Sequence, residues 1–237
     1  MRVAVCVSGL VTSAYGGGAK RNNEILKEKF PTADFFYTTW ETERESFNRS
    51  FSGVECAFLP EPDITRHPYT ELIESFSPWF QSTADWVRCS PERIVWTRHH
   101  TKQIVAHSYL VSNLPSGYDV VVRTRYDAFI SPCAVFENYL KKAYNHNTVS
   151  GFGTRNKDRI DEINVLSNPG TNWEHRILDH LIIHPNRMVS YDNVVTMVEK
   201  NTLHPAEYGW YQTLVLPNNF IHTNNDGWVN HDKKINI

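Results

Sequence analysis

Apolar positions along the chain fall into short unbroken runs separated by polar turns, with longer stretches at helical spacing between them. Val3-Ala4-Val5-Cys6-Val7 is continuous, and so is Val120-Val121-Val122 after Tyr118. Runs of β-branched residues without alternation predict strands buried on both faces, as in parallel sheets. Ala33 to Tyr37 predicts a second strand, ending in Thr38-Thr39-Trp40, and Ala57-Phe58-Leu59 a third, closed by Pro60 and Pro62. Further strands are predicted near Thr148–Phe152 and at Phe220-Ile221-His222. Helices are predicted from a cap at Asn22 or Asn23 to Phe30, stopped by Pro31, and over Arg93–Leu114 and Tyr191–Lys200. Trp173–Leu181 also reads as helix, as does Pro205–Gln212 with its proline in the first turn. Residues 154–170 are polar and read as an exposed loop, a lid or an insertion. Strands alternating with helices predict an α/β fold, a mixed and mainly parallel sheet flanked by helices. No repeat or linker interrupts residues 1–237, so one domain is expected.

The stretch after Val122 changes the picture. Arg123, Arg125 and Asp127 follow at every second position, which on an extended chain sends all three side chains to one side. Two guanidiniums and a carboxylate at the end of a buried strand do not serve an apolar core, because an unpaired charge is costly to bury. One reading is a site for phosphate and a metal ion, with forked donors from Arg and a hard oxygen ligand from Asp. The other is an Arg–Asp ion pair that closes the strand end.

The first strand ends in Ser8-Gly9, and a loop through Gly16-Gly17-Gly18 leads to Lys20-Arg21 and a helix. This strand, loop and helix unit is one in which nucleotide ligands lie at the strand's carboxyl end. It lacks the Gly-Lys-Ser/Thr of a P-loop and the Gly-x-Gly-x-x-Gly fingerprint, so Ser8, Gly9 and Arg21 are the candidate contacts rather than the glycine run.

Composition narrows the partners. The formal net charge is -2 with no long run of either sign, which argues against nucleic acid held by bulk electrostatics. No apolar stretch reaches membrane-span length, and the N-terminal run is too short for a signal peptide. Cys6, Cys56, Cys89 and Cys133 form no C-x-x-C pair, so free thiols and a reducing, cytoplasmic setting are expected. His99, His100 and His107 lack the spacing of a helical zinc site and are expected in surface or packing roles.

An apolar first strand ending in Cys-x-Ser-Gly, a second ending in Thr-x-Trp, and then Asp-Val-Val-Val-Arg-Thr-Arg-Tyr-Asp resemble a group of GT-A-type glycosyltransferase-like proteins of bacteria and viruses, associated with surface polysaccharide. The stretch Leu178-Asp179-His180-Leu181-Ile182-Ile183 resembles that group's Asp-containing segment under the acceptor site, and Pro205-Ala206-Glu207 the segment opening its late helix. The resemblance spans nearly the whole chain through short motifs. It implies a GT-A-like, Rossmann-like domain, a nucleotide-sugar donor, a glycan or other hydroxyl acceptor, and a divalent cation, Mn or Mg. Arg-x-Arg-x-Asp would stand in place of the Asp-x-Asp metal motif, with one carboxylate instead of two.

On that resemblance Asp127 would hold the metal and His222 would complete its shell. Arg123 or Arg125 would bind the diphosphate, Trp40 would stack on a sugar or base (as Trp173 or Trp210 would), and Asp179 or Glu207 would act as base. Each also has a plain structural reading: packing for the tryptophans, a surface role for His222, an ion pair or helix-end role for the two acids. The rival function is a non-catalytic nucleotide- or glycan-binding module of the same fold; a sulfotransferase is disfavoured by the lack of a phosphate loop.

Overall fold

The computed structural model describes residues 1–13, 17–62, 91–153, 177–200, 202–203, 209–226 and 228–231. Nine strands are described: β1 Val3–Ser8, β2 Asp34–Trp40, β3 Ala57–Leu59, β4 Val120–Thr124, β5 Ala128–Ile130, β6 Thr148–Gly153, β7 Leu181–Pro185, β8 Ile221–Asp226 and β9 Val229–His231. Seven of them form one sheet in the order β3-β2-β1-β4-β7-β6-β8, and β5 pairs with β9 in a small antiparallel ribbon. Within the large sheet β7 runs antiparallel to both neighbours and every other pairing is parallel. This is the expected α/β architecture, a mixed and mainly parallel sheet.

The unbroken apolar runs lie where the sheet is covered on both faces. Every residue of β1 and β4 is buried, and Val5, Val120, Val121 and Val122 are wholly so. Each such valine contributes about 1.5–3 kcal/mol on leaving water. Helices α1 (Gly18–Lys29), α2 (Arg44–Ser50), α3 (Pro91–Ser112), α4 (Glu137–His146) and α5 (Tyr191–Glu199) surround the sheet. One core gathers Val5, Leu26, Phe47, Val122, Tyr126, Phe152 and Ile183; a second gathers Ile104, Ile182, Val194, Trp210 and Leu214.

Strand order locates the functional edge. From β1 the chain moves outward through β2 to β3, then crosses back to place β4 on the other side of β1. The order therefore reverses between β1 and β4, and outside the carboxyl ends of strands at such a reversal open α/β sheets commonly bind ligands.

Two expectations are corrected. Asn22 and Asn23 do not cap α1, which begins a turn earlier after Gly17 (φ 82°). Both are buried inside the helix, where Asn22 Nδ2 donates to Tyr126 O at 2.9 Å and Asn23 Oδ1 accepts from the Tyr37 hydroxyl at 2.7 Å. Leu181 does not end a helix: residues 177–180 are extended or bent, and Leu181–Pro185 is the buried β7, since Ile182-Ile183 suits a two-sided sheet position. Over residues 209–215 helical backbone passes into a π-turn at Tyr211–Val215, while Pro205 lies outside the described residues.

Candidate functional site

β4 ends at Thr124, and the chain turns through Arg125, Tyr126 and Asp127 before β5. Two contacts set this turn. Asn22 of α1 holds the Tyr126 carbonyl, and the buried Tyr126 hydroxyl donates to Thr38 O at 3.1 Å. A second segment, residues 177–180, runs alongside. Asp179 bridges to Phe152 of β6, Leu178 N donates to Asn224 Oδ1 at 2.9 Å, and Thr124 Oγ1 donates to His180 O at 3.1 Å. Its approach to β6 depends on Gly151, where an added Cβ would lie 2.6 Å from Leu178 O.

These two segments bring four of the candidate residues together. Arg123 is wholly buried; Nη1 donates to the Asp179 carbonyl, Nη2 donates to Gln103 Oε1 on α3, and the guanidinium lies 4.5 Å over the Trp210 ring. Burial pulls its pKa down to about 9, still well above neutrality, so it remains a cation. Arg125 grips Asp127 with a two-pronged fork, Nε to Oδ1 at 2.8 Å and Nη2 to Oδ2 at 2.7 Å. Its third nitrogen, Nη1, stands 3.9 Å from Asp179 Oδ2. Burial lowers the Arg125 pKa, but the Asp127 and Asp179 carboxylates outweigh it and hold the group above the ordinary arginine value. Arg125, Asp127 and Asp179 have side chains only 11, 9 and 8% exposed.

Ser8 and Gly9 lie at the end of the neighbouring strand. Ser8 Oγ is buried with no hydrogen-bond partner among the described residues. Gly9 has φ +119°, a conformation costly for any side chain, and its carbonyl accepts from Thr39 Oγ1 at 2.8 Å. Gln103 also approaches Gly9: a Cβ there would lie 3.6 Å from Gln103 Cγ. The β1 edge and Arg123 thus share one neighbour on α3. Arg21, exposed in the first turns of α1, reaches the Phe129 ring of β5 at 5.2 Å.

Other candidates go elsewhere. Trp40 is 1% exposed, packed with Leu59 and Ala106, so it fills the core and has no ring face to offer a ligand. His222 pairs with Val149 on the β8–β6 ladder, three rungs below the Phe152 level where Asp179 bridges, roughly 10 Å away along the strand. Its ring contacts Tyr211 at 5.3 Å, and it does not converge with Asp127. Glu207 and Trp173 lie outside the described residues. Trp210 meets the Arg123 cation rather than solvent. Gln103 carried no motif; only a polar residue on the buried side of α3 marked it.

A divalent cation needs several oxygen or nitrogen ligands at short range. Here both Asp127 oxygens already accept from Arg125, and no three His, Cys, Asp or Glu side chains gather to hold an ion among the described residues. The described residues do not fit a metal at Asp127.

No helix among the described residues is long and apolar enough to cross a membrane. Cys6, Cys56 and Cys133 are free thiols, and burial raises the Cys56 pKa to about 12. No family model and no curated protein matches the chain. Among solved structures it is similar to a galactosyltransferase, LgtC, in complex with donor and acceptor sugar analogues, at 8% identity over 94% of this chain and 73% of that one, TM-score 0.45. It is likewise similar to 4-diphosphocytidyl-2C-methyl-D-erythritol synthase from Anaerococcus prevotii (9% identity, 100% of this chain, 91% of that one, TM-score 0.47). A third likeness is to mouse xyloside xylosyltransferase 1 in its apo form (9% identity, 95% and 84%, TM-score 0.41).

Proposed function

We propose that this chain transfers a sugar from a nucleotide-sugar donor to a hydroxyl of a glycan or other acceptor. One observation carries the reading: the Arg125, Asp127 and Asp179 cluster stands outside the carboxyl ends of the central strands, where the strand order reverses. That is where open α/β sheets bind their ligands. The resemblance of the Arg-x-Arg-x-Asp segment to that of glycosyltransferase-like proteins points the same way.

In this reading the Ser8 hydroxyl and the backbone at Gly9 meet the nucleotide end of the donor. The bond from the anomeric carbon to the leaving diphosphate breaks as the bond to the acceptor oxygen forms. Charge growing on the diphosphate is met by Arg125 and the exposed Arg21. The acceptor's proton passes to Asp179, which stands at the same edge. Arg123 has a positioning role, since it is wholly buried and holds the Asp179 backbone.

A second reading, a nucleotide- or glycan-binding module without catalysis, draws support from the closed Arg125–Asp127 pair, whose carboxylate is fully engaged within the protein. The two are separated by incubating the protein with UDP-, GDP-, CMP- and dTDP-sugars, with and without an oligosaccharide acceptor, while following thermal stability and release of the nucleotide product. A stability rise with one donor, together with product release that Asp179→Asn removes, supports transfer. A rise without release favours the module. No rise with any donor overturns transfer, and no rise with the oligosaccharide either overturns both.

A further inference from the structure

The sequence motif sets an arginine at the position where a second metal-binding carboxylate would be expected, and the geometry shows what that arginine does. Its fork closes on both oxygens of Asp127, and its remaining nitrogen faces Asp179 Oδ2 at 3.9 Å. The guanidinium thus lies between two carboxylates from different segments, one following β4 and one preceding β7. This is the bridging position a divalent ion takes between acids.

Charge points the same way. Arg123, Arg125, Asp127 and Asp179 are all buried or nearly so, and their formal charges cancel. Adding a divalent ion would leave this low-dielectric cluster with an excess of two positive charges beside a fixed guanidinium. Replacing Arg125 by a neutral residue would leave one negative charge and withdraw the fork from Asp127.

We infer that Arg125 is a built-in cation standing where a divalent metal would bridge Asp127 and Asp179, so that this edge of the sheet works without a divalent ion. The assignment concerns the protein alone; its consequence, metal-independent donor binding, rests on the transferase reading.

The test is a Mn²⁺ titration followed by electron paramagnetic resonance. It uses the wild-type protein, Asp127→Asn, Arg125→Gln and the double variant, each checked for folding by circular dichroism. Wild type and Asp127→Asn are expected to take up Mn²⁺ equally. Arg125→Gln is expected to take up one further equivalent, which the added Asp127→Asn removes. The inference is overturned if wild type holds an equivalent that Asp127→Asn abolishes, or if folded Arg125→Gln takes up no more than wild type. Should the variants not fold, the thermal midpoint of the wild-type protein decides: no change between millimolar Mn²⁺ and EDTA supports the inference, and a rise of several degrees with Mn²⁺ overturns it. No nucleotide enters these measurements, so their failure leaves the transferase reading standing. Equally, failure of every donor to bind leaves the Mn²⁺ result intact.

Discussion

Arg125 and Asp127, two residues apart in sequence, meet through a pair of parallel hydrogen bonds of 2.8 and 2.7 Å, and the Asp179 carboxylate from the far side of the chain joins them. A pair so nearly buried makes each partner dependent on the other. Removing one leaves an uncompensated charge in low dielectric, at a cost of about 3 kcal/mol or more. Asp127→Ala and Arg125→Ala are each expected to lower urea stability by that order, while Arg125→Met/Asp127→Leu loses clearly less than the two singles combined. Additive losses in the double variant would show that the pair is not coupled.

His107 on α3 and His184 on β7 are both wholly buried, with their Nε2 atoms 3.1 Å apart. The Pro185 carbonyl, 2.7 Å from His184 Nδ1, can only accept, so His184 Nδ1 carries a proton and His184 Nε2 receives one from His107. Charging His184 would set two Nε2 donors against each other, and charging either ring would add a buried positive charge close to the Arg123 cation. Burial accordingly lowers the His184 pKa to about 4, and burial with the charges of His184 and Arg123 holds His107 well below the ordinary histidine value. The unfolded chain binds these protons near pH 6.5 and the folded chain does not. Stability is therefore full above that pH and falls as pH drops toward 4, His184 alone accounting for roughly 3 kcal/mol. Urea midpoints measured from pH 7.5 to 4.5 should fall in wild type and fall less in His184→Leu. Parallel profiles would sink this account.

Trp210 fills space beneath the Arg123 guanidinium and against the His107 ring, 5.5 Å away. Trp210→Ala should cost about 3–5 kcal/mol through the cavity it leaves, and Trp210→Phe less, since a smaller ring can still lie under the cation. Equal losses for the two variants in urea unfolding would refute the stacking contribution.

Gly151 permits the close approach of β6 and the segment bearing Asp179. A Cβ there would lie 2.6 Å from Leu178 O and 2.8 Å from Leu178 N, both backbone atoms with no rotamer to turn aside. Gly151→Ala should therefore cost about 1–3 kcal/mol and shift the amide resonances of Asp179 and His180. A variant as stable as wild type, with those resonances unmoved, would show that the segment yields at no cost.

Sequence alone determined the strands that periodicity can report. Val3–Val7 and Val120–Val122 are unbroken apolar runs because both sheet faces around them are covered, and that condition is written locally. The charged triplet after Val122 likewise announced a site, since its residue types have no place in a core. Tertiary structure decided the rest. Whether Asp127 faces a ligand or an arginine depends on how the chain turns after Thr124, which Asn22 of α1 and Thr38 of β2 govern by holding Tyr126 from 104 and 88 residues away. Trp40 and His222 carry the same side chains in a site or in packing; only burial and strand register assigned them. Gln103 had no local signal, because its role comes from meeting Arg123 and Gly9 across the sheet. Side-chain chemistry is a local property, whereas convergence depends on contacts between distant segments.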